Sequence, residues 1–176
     1  MLLVVRADEA VMRRAVPAAL AALLLLAAPA SAREAGLWAT VNVCDTKKSP
    51  NDMGVRARMP GDGTHRRMYM RFTAEFRVSK NTWQVVSGKG RSKWLYAGSA
   101  LFRNQELGYT FSFDAPKPGA SYVMRGLVQF QWRAKGSGKV VRRAQQITSK
   151  GHPTKPADPR GFSAAHCTIS TPPKAP

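Results

Sequence analysis

Period-two alternation dominates the chain from residue 37 onward. Between 67 and 78, Met68, Met70, Phe72, Ala74, Phe76 and Val78 fall on one side. Arg67, Tyr69, Arg71, Thr73, Glu75 and Arg77 fall on the other. Successive side chains of an extended strand point to opposite faces, so this spacing predicts one long strand with a core face and a wet face. The same rule makes Leu37, Ala39, Val41 and Val43 a first strand that ends at Cys44. Val55, Ala57 and Met59, alternating with Arg56 and Arg58, make a second. Shorter runs at 82–86 and 93–97 each carry a tryptophan, Trp83 and Trp94. Leu107, Tyr109, Phe111 and Phe113 alternate with polar or small residues, and Tyr122, Met124, Gly126, Val128, Phe130 and Trp132 line another long inward face. In 139–148 the pattern loosens, because Val140, Val141, Ala144 and Ile147 share no face; Arg and Gln there suit an edge strand. A last short strand at 166–170 carries Cys167.

Turn chemistry separates these segments. The stretches 59–63 and 115–119 are loops by their Pro and Gly content, and Gly136-Ser137-Gly138 reads as a hairpin loop. The segment 151–161 holds three prolines and is a long loop. No stretch beyond residue 33 repeats its apolar positions at helical spacing. About seven to nine short strands with turns between them predict an all-β, antiparallel sandwich. It forms one domain, 33–170, followed by a disordered tail at 171–176. The stretch 122–148, a tyrosine-led long strand, a glycine turn and a returning strand, resembles the penultimate hairpin of immunoglobulin-like and fibronectin type III domains. That resemblance implies an immunoglobulin-like sandwich. The two cysteines depart from the antibody pattern, which links two central strands, since here they would tie the first strand to the last. Tryptophans in a small sandwich are more often core than binding platform, and Trp83, Trp94 and Trp132 are expected there.

The segment before the first strand has a different character. Met12-Arg13-Arg14 is a short basic start, 15–29 is an apolar run rich in Leu and Ala, and Ala30-Ser31-Ala32 is a small-x-small triplet. This order predicts a signal peptide over 1–32, removed on export, with Met12 as an alternative start. An uncleaved anchor is the competing reading, but a spanning helix needs roughly 20 apolar residues and this run is shorter. The protein is therefore expected to be secreted and extracellular, with no transmembrane segment once the signal is removed. Exported thiols oxidise, so Cys44 and Cys167, alone in the remaining sequence, predict one disulfide. The arginine-rich strands, the signal and the terminal cysteine pair together resemble small secreted proteins of high-GC Gram-positive bacteria, a resemblance that implies no activity.

Charge supplies the functional lead. The formal net charge is +18; without 1–32, which hold three Arg and two acids, 25 basic and 8 acidic residues leave +17. Such a field draws anionic partners, among them cell-wall phosphate polymers and acidic polysaccharides. A merely solvated basic surface is the bland alternative. The candidate binding residues are Arg56 and Arg58 on the outer side of one strand, and Arg67, Arg71 and Arg77 with Tyr69 on that of the next. If these two strands pair, their outer faces merge into one arginine-rich surface suited to phosphate or carboxylate.

Catalytic signatures are missing. His65, His152 and His166 have no partner at metal-ligand spacing, so no metal and no cofactor are expected. There is no G-x-S-x-G elbow, and Gly136-Ser137-Gly138-Lys139 lacks the frame of a phosphate loop. His166 beside Cys167 suggests a thiol–imidazole pair, which a disulfide would forbid. The carboxylates are scattered singly. No specific nucleic-acid site is visible. The expectation is a non-catalytic, secreted interaction module for an anionic extracellular polymer. Two alternatives stand beside it: an enzyme or enzyme-inhibitor domain with a site built from loops 45–52 and 151–161, and a carbohydrate-binding module with exposed tryptophans in a row.

Overall fold

The alternating segments become nine antiparallel strands in the computed structural model, which describes residues 36–173. In chain order they are β1 (Trp38–Cys44), β2 (Asp52–Pro60), β3 (Arg67–Arg77), β4 (Trp83–Val85), β5 (Leu95–Ser99), β6 (Asn104–Ser112), β7 (Ser121–Arg133), β8 (Val140–Ile147) and β9 (Cys167–Ser170). The signal peptide expected at 1–32 and the last three residues of the tail lie outside the described residues.

The strands form two sheets. One has the order β1-β2-β6; the other has the order β4-β3-β7-β8, with β5 also on β3 and β9 also on β7. The chain crosses from one sheet to the other between β2 and β3, between β5 and β6, and between β6 and β7. Only β3–β4 and β7–β8 are hairpins between neighbours in the larger sheet, the second through the glycine turn at 136–138. β7 organises that sheet. Ten of its positions pair with β3, from Arg133 opposite Arg67 to Met124 opposite Phe76. Its 13 residues leave room on the other edge for β8 and then β9, in succession. β8 is an edge strand.

The core lies between the sheets and comes from the inward half of each alternation. Val55, Ala57, Met59 and Phe111 face Met68, Met70, Phe72, Met124, Val128, Phe130 and Trp132, all buried. Trp132 is wholly enclosed and donates its indole N–H to the Pro60 carbonyl at 3.3 Å, so its one polar atom is satisfied. Two residues placed inward by alternation are instead exposed, Val78 at 49% and Tyr122 at 42%. Val78 follows the last residue of β3, and Tyr122, second in β7, lines a cavity of about 500 Å³ together with Phe76 and Phe113.

The outer face of β1 also departs from simple alternation, because Thr40 and Asn42 are buried. The segment between β8 and β9 runs back along β1 and covers it. Val41 and Ala164 exchange both backbone hydrogen bonds (2.9 and 3.0 Å), Asp158 N donates to Asn42 O at 2.9 Å, and Ser149 N donates to Ala39 O at 2.8 Å. The Thr40 and Ser163 hydroxyls meet at 2.7 Å. This return segment gives the backbone of an edge strand partners that would otherwise be missing. Cys44 and Cys167 are joined, with Cα atoms 5.3 Å apart, so the disulfide ties β1 of the smaller sheet to β9 of the larger.

Candidate anion-binding face

The two arginine sets lie on different sheets. β2 pairs with β1 and β6, whereas β3 pairs with β4, β5 and β7. Arg56 and Arg58 therefore line the outer side of the smaller sheet, and Arg67, Tyr69, Arg71 and Arg77 line that of the larger. The single merged surface does not form. Alternation fixes whether a side chain points in or out, but the turn at 61–66 carries the chain across the sandwich instead of folding it back as a hairpin.

On the larger sheet, register gathers a compact cluster. Tyr69 stands opposite Gln131 on β7 and Tyr96 on β5, and Arg71 stands opposite Gln129. Directly opposed side chains on neighbouring strands come within about 5 Å of each other, close enough to bond. Arg71 donates from Nε (2.9 Å) and Nη2 (2.7 Å) to Gln129 Oε1. Arg133 donates from Nε to Gln131 Oε1 at 2.9 Å. The Arg71 guanidinium lies 4.6 Å from the Trp94 ring centre, and that of Arg133 lies 4.2 Å from Tyr69 and 5.3 Å from Trp94. Tyr69 and Tyr96 follow at 5.5 Å. Each cation–π contact stabilises by roughly 0.5–1 kcal/mol at an exposed site. Together the contacts hold two flexible arginines in one orientation.

Compensation of charge separates these two arginines from others. Arg56 pairs with Glu106 (3.1 Å), Arg66 with Asp62 (2.7 Å) and Arg125 with Glu75 (2.7 Å). Among the described residues no carboxylate pairs with Arg71 or Arg133; their acceptors are neutral amides. The cluster is positioned but not neutralised, and its remaining N–H donors suit an anion. Sequence reasoning named Tyr69 and Arg71, placed Trp94 in the core with a row of exposed tryptophans as the alternative, and missed Arg133, Tyr96, Gln129 and Gln131. Gln129 and Gln131 alternate with Val128 and Phe130, so their outward direction was readable, but their position opposite Arg71 and Tyr69 was not.

At the far end of the same face, Trp83 is sandwiched between Arg125, 4.3 Å from its ring centre, and His166, stacked at 5.2 Å. Burial, then the charges of Arg77 and Arg125, hold the His166 imidazole below its ordinary pKa. Trp83 and Trp94 are therefore half-buried on an outer face and capped by guanidinium groups, while only Trp132 of the three is core. The expectation that all three are core is corrected: Trp83 lies on the short edge strand β4 and Trp94 immediately before β5, and their rings pack against the guanidinium groups of Arg125 and Arg71.

Loops 45–52 and 151–161 do meet, through the Thr46 hydroxyl donating to Asp158 at 2.7 Å. Asp45 accepts from the Asn51 and Ser170 backbone at 2.8 and 3.3 Å, so both carboxylates fasten loops. Cys167 is in the disulfide and cannot act as a nucleophile beside His166. Among the described residues no three His, Cys, Asp or Glu side chains are grouped to hold a metal, and no helix is long and apolar enough to cross a membrane. No protein-family model matches the chain, and no curated protein matches it either.

Proposed function

We propose that this chain is a secreted, non-catalytic interaction module of the immunoglobulin-like sandwich type, and that it binds an acidic polysaccharide through the outer face of its larger sheet. The carrying observation is the Arg71–Trp94–Arg133–Tyr69 stack, oriented by Gln129 and Gln131 without a carboxylate partner. Guanidinium forks fit carboxylates, and the edges of Tyr69 and exposed Tyr96 offer apolar surface to a sugar ring. The antiparallel β7–β8 hairpin supports the immunoglobulin-like assignment, and the disulfide supports export.

The test is calorimetric titration of the chain lacking 1–32 with polygalacturonate. Arg71→Gln with Arg133→Gln should weaken binding by about tenfold or more, since charge-assisted bonds are worth roughly 1.5–3 kcal/mol each. Lys47→Gln with Lys117→Gln removes the same charge elsewhere and should change affinity little. Equal losses in both variants would reduce the attraction to net charge and overturn the site. Stronger binding to polyphosphate than to polygalacturonate would move the ligand to the phosphate-polymer class.

A further inference from the structure

A sheet ends on strands whose outer backbone groups have no neighbour to pair with, and folded proteins guard such edges. Most edges of this sandwich carry a guard. The return segment covers β1. β8 holds Arg142 and Arg143, and its pairing with β7 shifts register at Trp132/Arg133. β4 and β5 share the far edge of the larger sheet and have only three and five residues. β6, the second edge of the smaller sheet, is different. It runs for nine residues in unbroken register with β2 and contains no proline, lysine or arginine.

The phase of its hydrogen bonds is fixed at both ends. Phe113 N donates to Asn51 O at 3.1 Å, and Gly61 N donates to Arg103 O at 2.9 Å, both between positions that continue the β2–β6 register. Bonded pairs recur at every second position of an antiparallel ladder. Leu107, Tyr109 and Phe111 therefore bond to β2, while Glu106, Gly108, Thr110 and Ser112 turn their N–H and C=O groups away from it. All four are exposed, and among the described residues no backbone group pairs with them on that side.

A cavity of about 610 Å³ adjoins this free edge. Residues 109–112 line it from β6, and Lys89, Arg91, Lys93 and Leu95 line it from the larger sheet. The three cations are exposed, and among the described residues no carboxylate pairs with them or lines the cavity. We infer that β6 receives an extended, acidic segment of a partner protein as a fourth strand of the smaller sheet. The main chain of the incoming strand pairs with Gly108, Thr110 and Ser112, and its Asp or Glu side chains meet the cations across the cavity. A second copy of this chain fits the edge poorly, because it would bring a second strongly basic chain against the same cations. The edge is separate from the polysaccharide face proposed above and does not depend on it.

The test is titration of the chain lacking 1–32 with capped octapeptides that alternate glutamate with valine, threonine or tyrosine, read by amide NMR and hydrogen exchange. Saturable binding of at least one peptide is expected, with slowed exchange at Gly108, Thr110 and Ser112. Lysine in place of glutamate should weaken that peptide by about tenfold or more. Methylating alternate backbone nitrogens of the peptide should do the same in one phase and not in the other, because only every second amide faces β6. Thr110→Pro removes a donor that β2 does not use, so it should lower affinity by about tenfold with little change in urea unfolding. Arg71→Gln with Arg133→Gln should leave peptide binding unchanged. The methylated peptides leave the protein intact and decide the matter even where Thr110→Pro fails to fold. No saturation with any peptide, equal binding of the lysine peptide, or equal binding of both methylated forms would overturn the inference. Dimerisation of the free chain with the same three amides protected would give the edge to a second copy and overturn it as well.

Discussion

Replacing both Cys44 and Cys167 with alanine isolates what the disulfide contributes. Cys167 is buried, and alanine avoids the unsatisfied hydroxyl that serine would place there. The native ladder should survive, because β9 remains paired to β7 at four positions and Ile169 remains enclosed. The loss therefore falls mainly on the unfolded chain, which regains the freedom of a loop spanning 123 residues. The chain-entropy relation puts that at about 4.9 kcal/mol, and measured losses for native disulfides more often run about 2–4 kcal/mol. Urea unfolding followed by tryptophan fluorescence should thus show stability lowered by about 2–5 kcal/mol. The midpoint temperature should fall by about 2–4 °C for each kcal/mol. A loss below about 1 kcal/mol would refute the entropy argument. So would a loss of hydrogen-exchange protection confined to β9 and the return segment with global stability unchanged. In that case the bond would act as a local clip on the native state.

Three further perturbations probe separate parts of the fold. Gly126→Ala on β7 would set a Cβ within 2.8–3.0 Å of the Val55 and Thr148 methyl groups across the core, and thermal unfolding should show a loss of about 1–3 kcal/mol from overpacking. Glu75→Gln removes the carboxylate paired with Arg125 at 2.7 Å in a largely buried pocket and should cost about 1–3 kcal/mol in denaturant unfolding, whereas exposed Arg77→Gln should stay within about 0.5 kcal/mol. His166 is held below its ordinary pKa of 6.5, chiefly by burial and then by Arg77 and Arg125, so below 6.5 the unfolded chain takes up a proton that the folded chain resists. Stability should fall as pH drops through that value toward the folded pKa, and His166→Gln should flatten the slope measured between about pH 7 and 5; an unchanged slope would show that another group is responsible.

By itself the sequence determined which side of each strand faces the core, because a period of two is a local property of extended chain. Met68, Met70, Phe72 and Ala74 on β3 and Met124, Val128, Phe130 and Trp132 on β7 are buried as their spacing requires. It also determined the cysteine pairing, since only two cysteines follow the apolar N-terminal run. Tertiary structure alone decided which sheet each strand joins. The turn at 61–66 sends β3 to the opposite sheet from β2, and that separates Arg56 and Arg58 from Arg71. It also decided register, which brings Gln129 opposite Arg71 and Gln131 opposite Tyr69 across more than 50 residues of chain. Long-range pairing of this kind reflects how two sheets share a core, and no local window encodes it. The same holds for the return segment that buries Thr40: its polar, proline-rich sequence marks a loop, and only packing against β1 turns it into the cover of an edge strand.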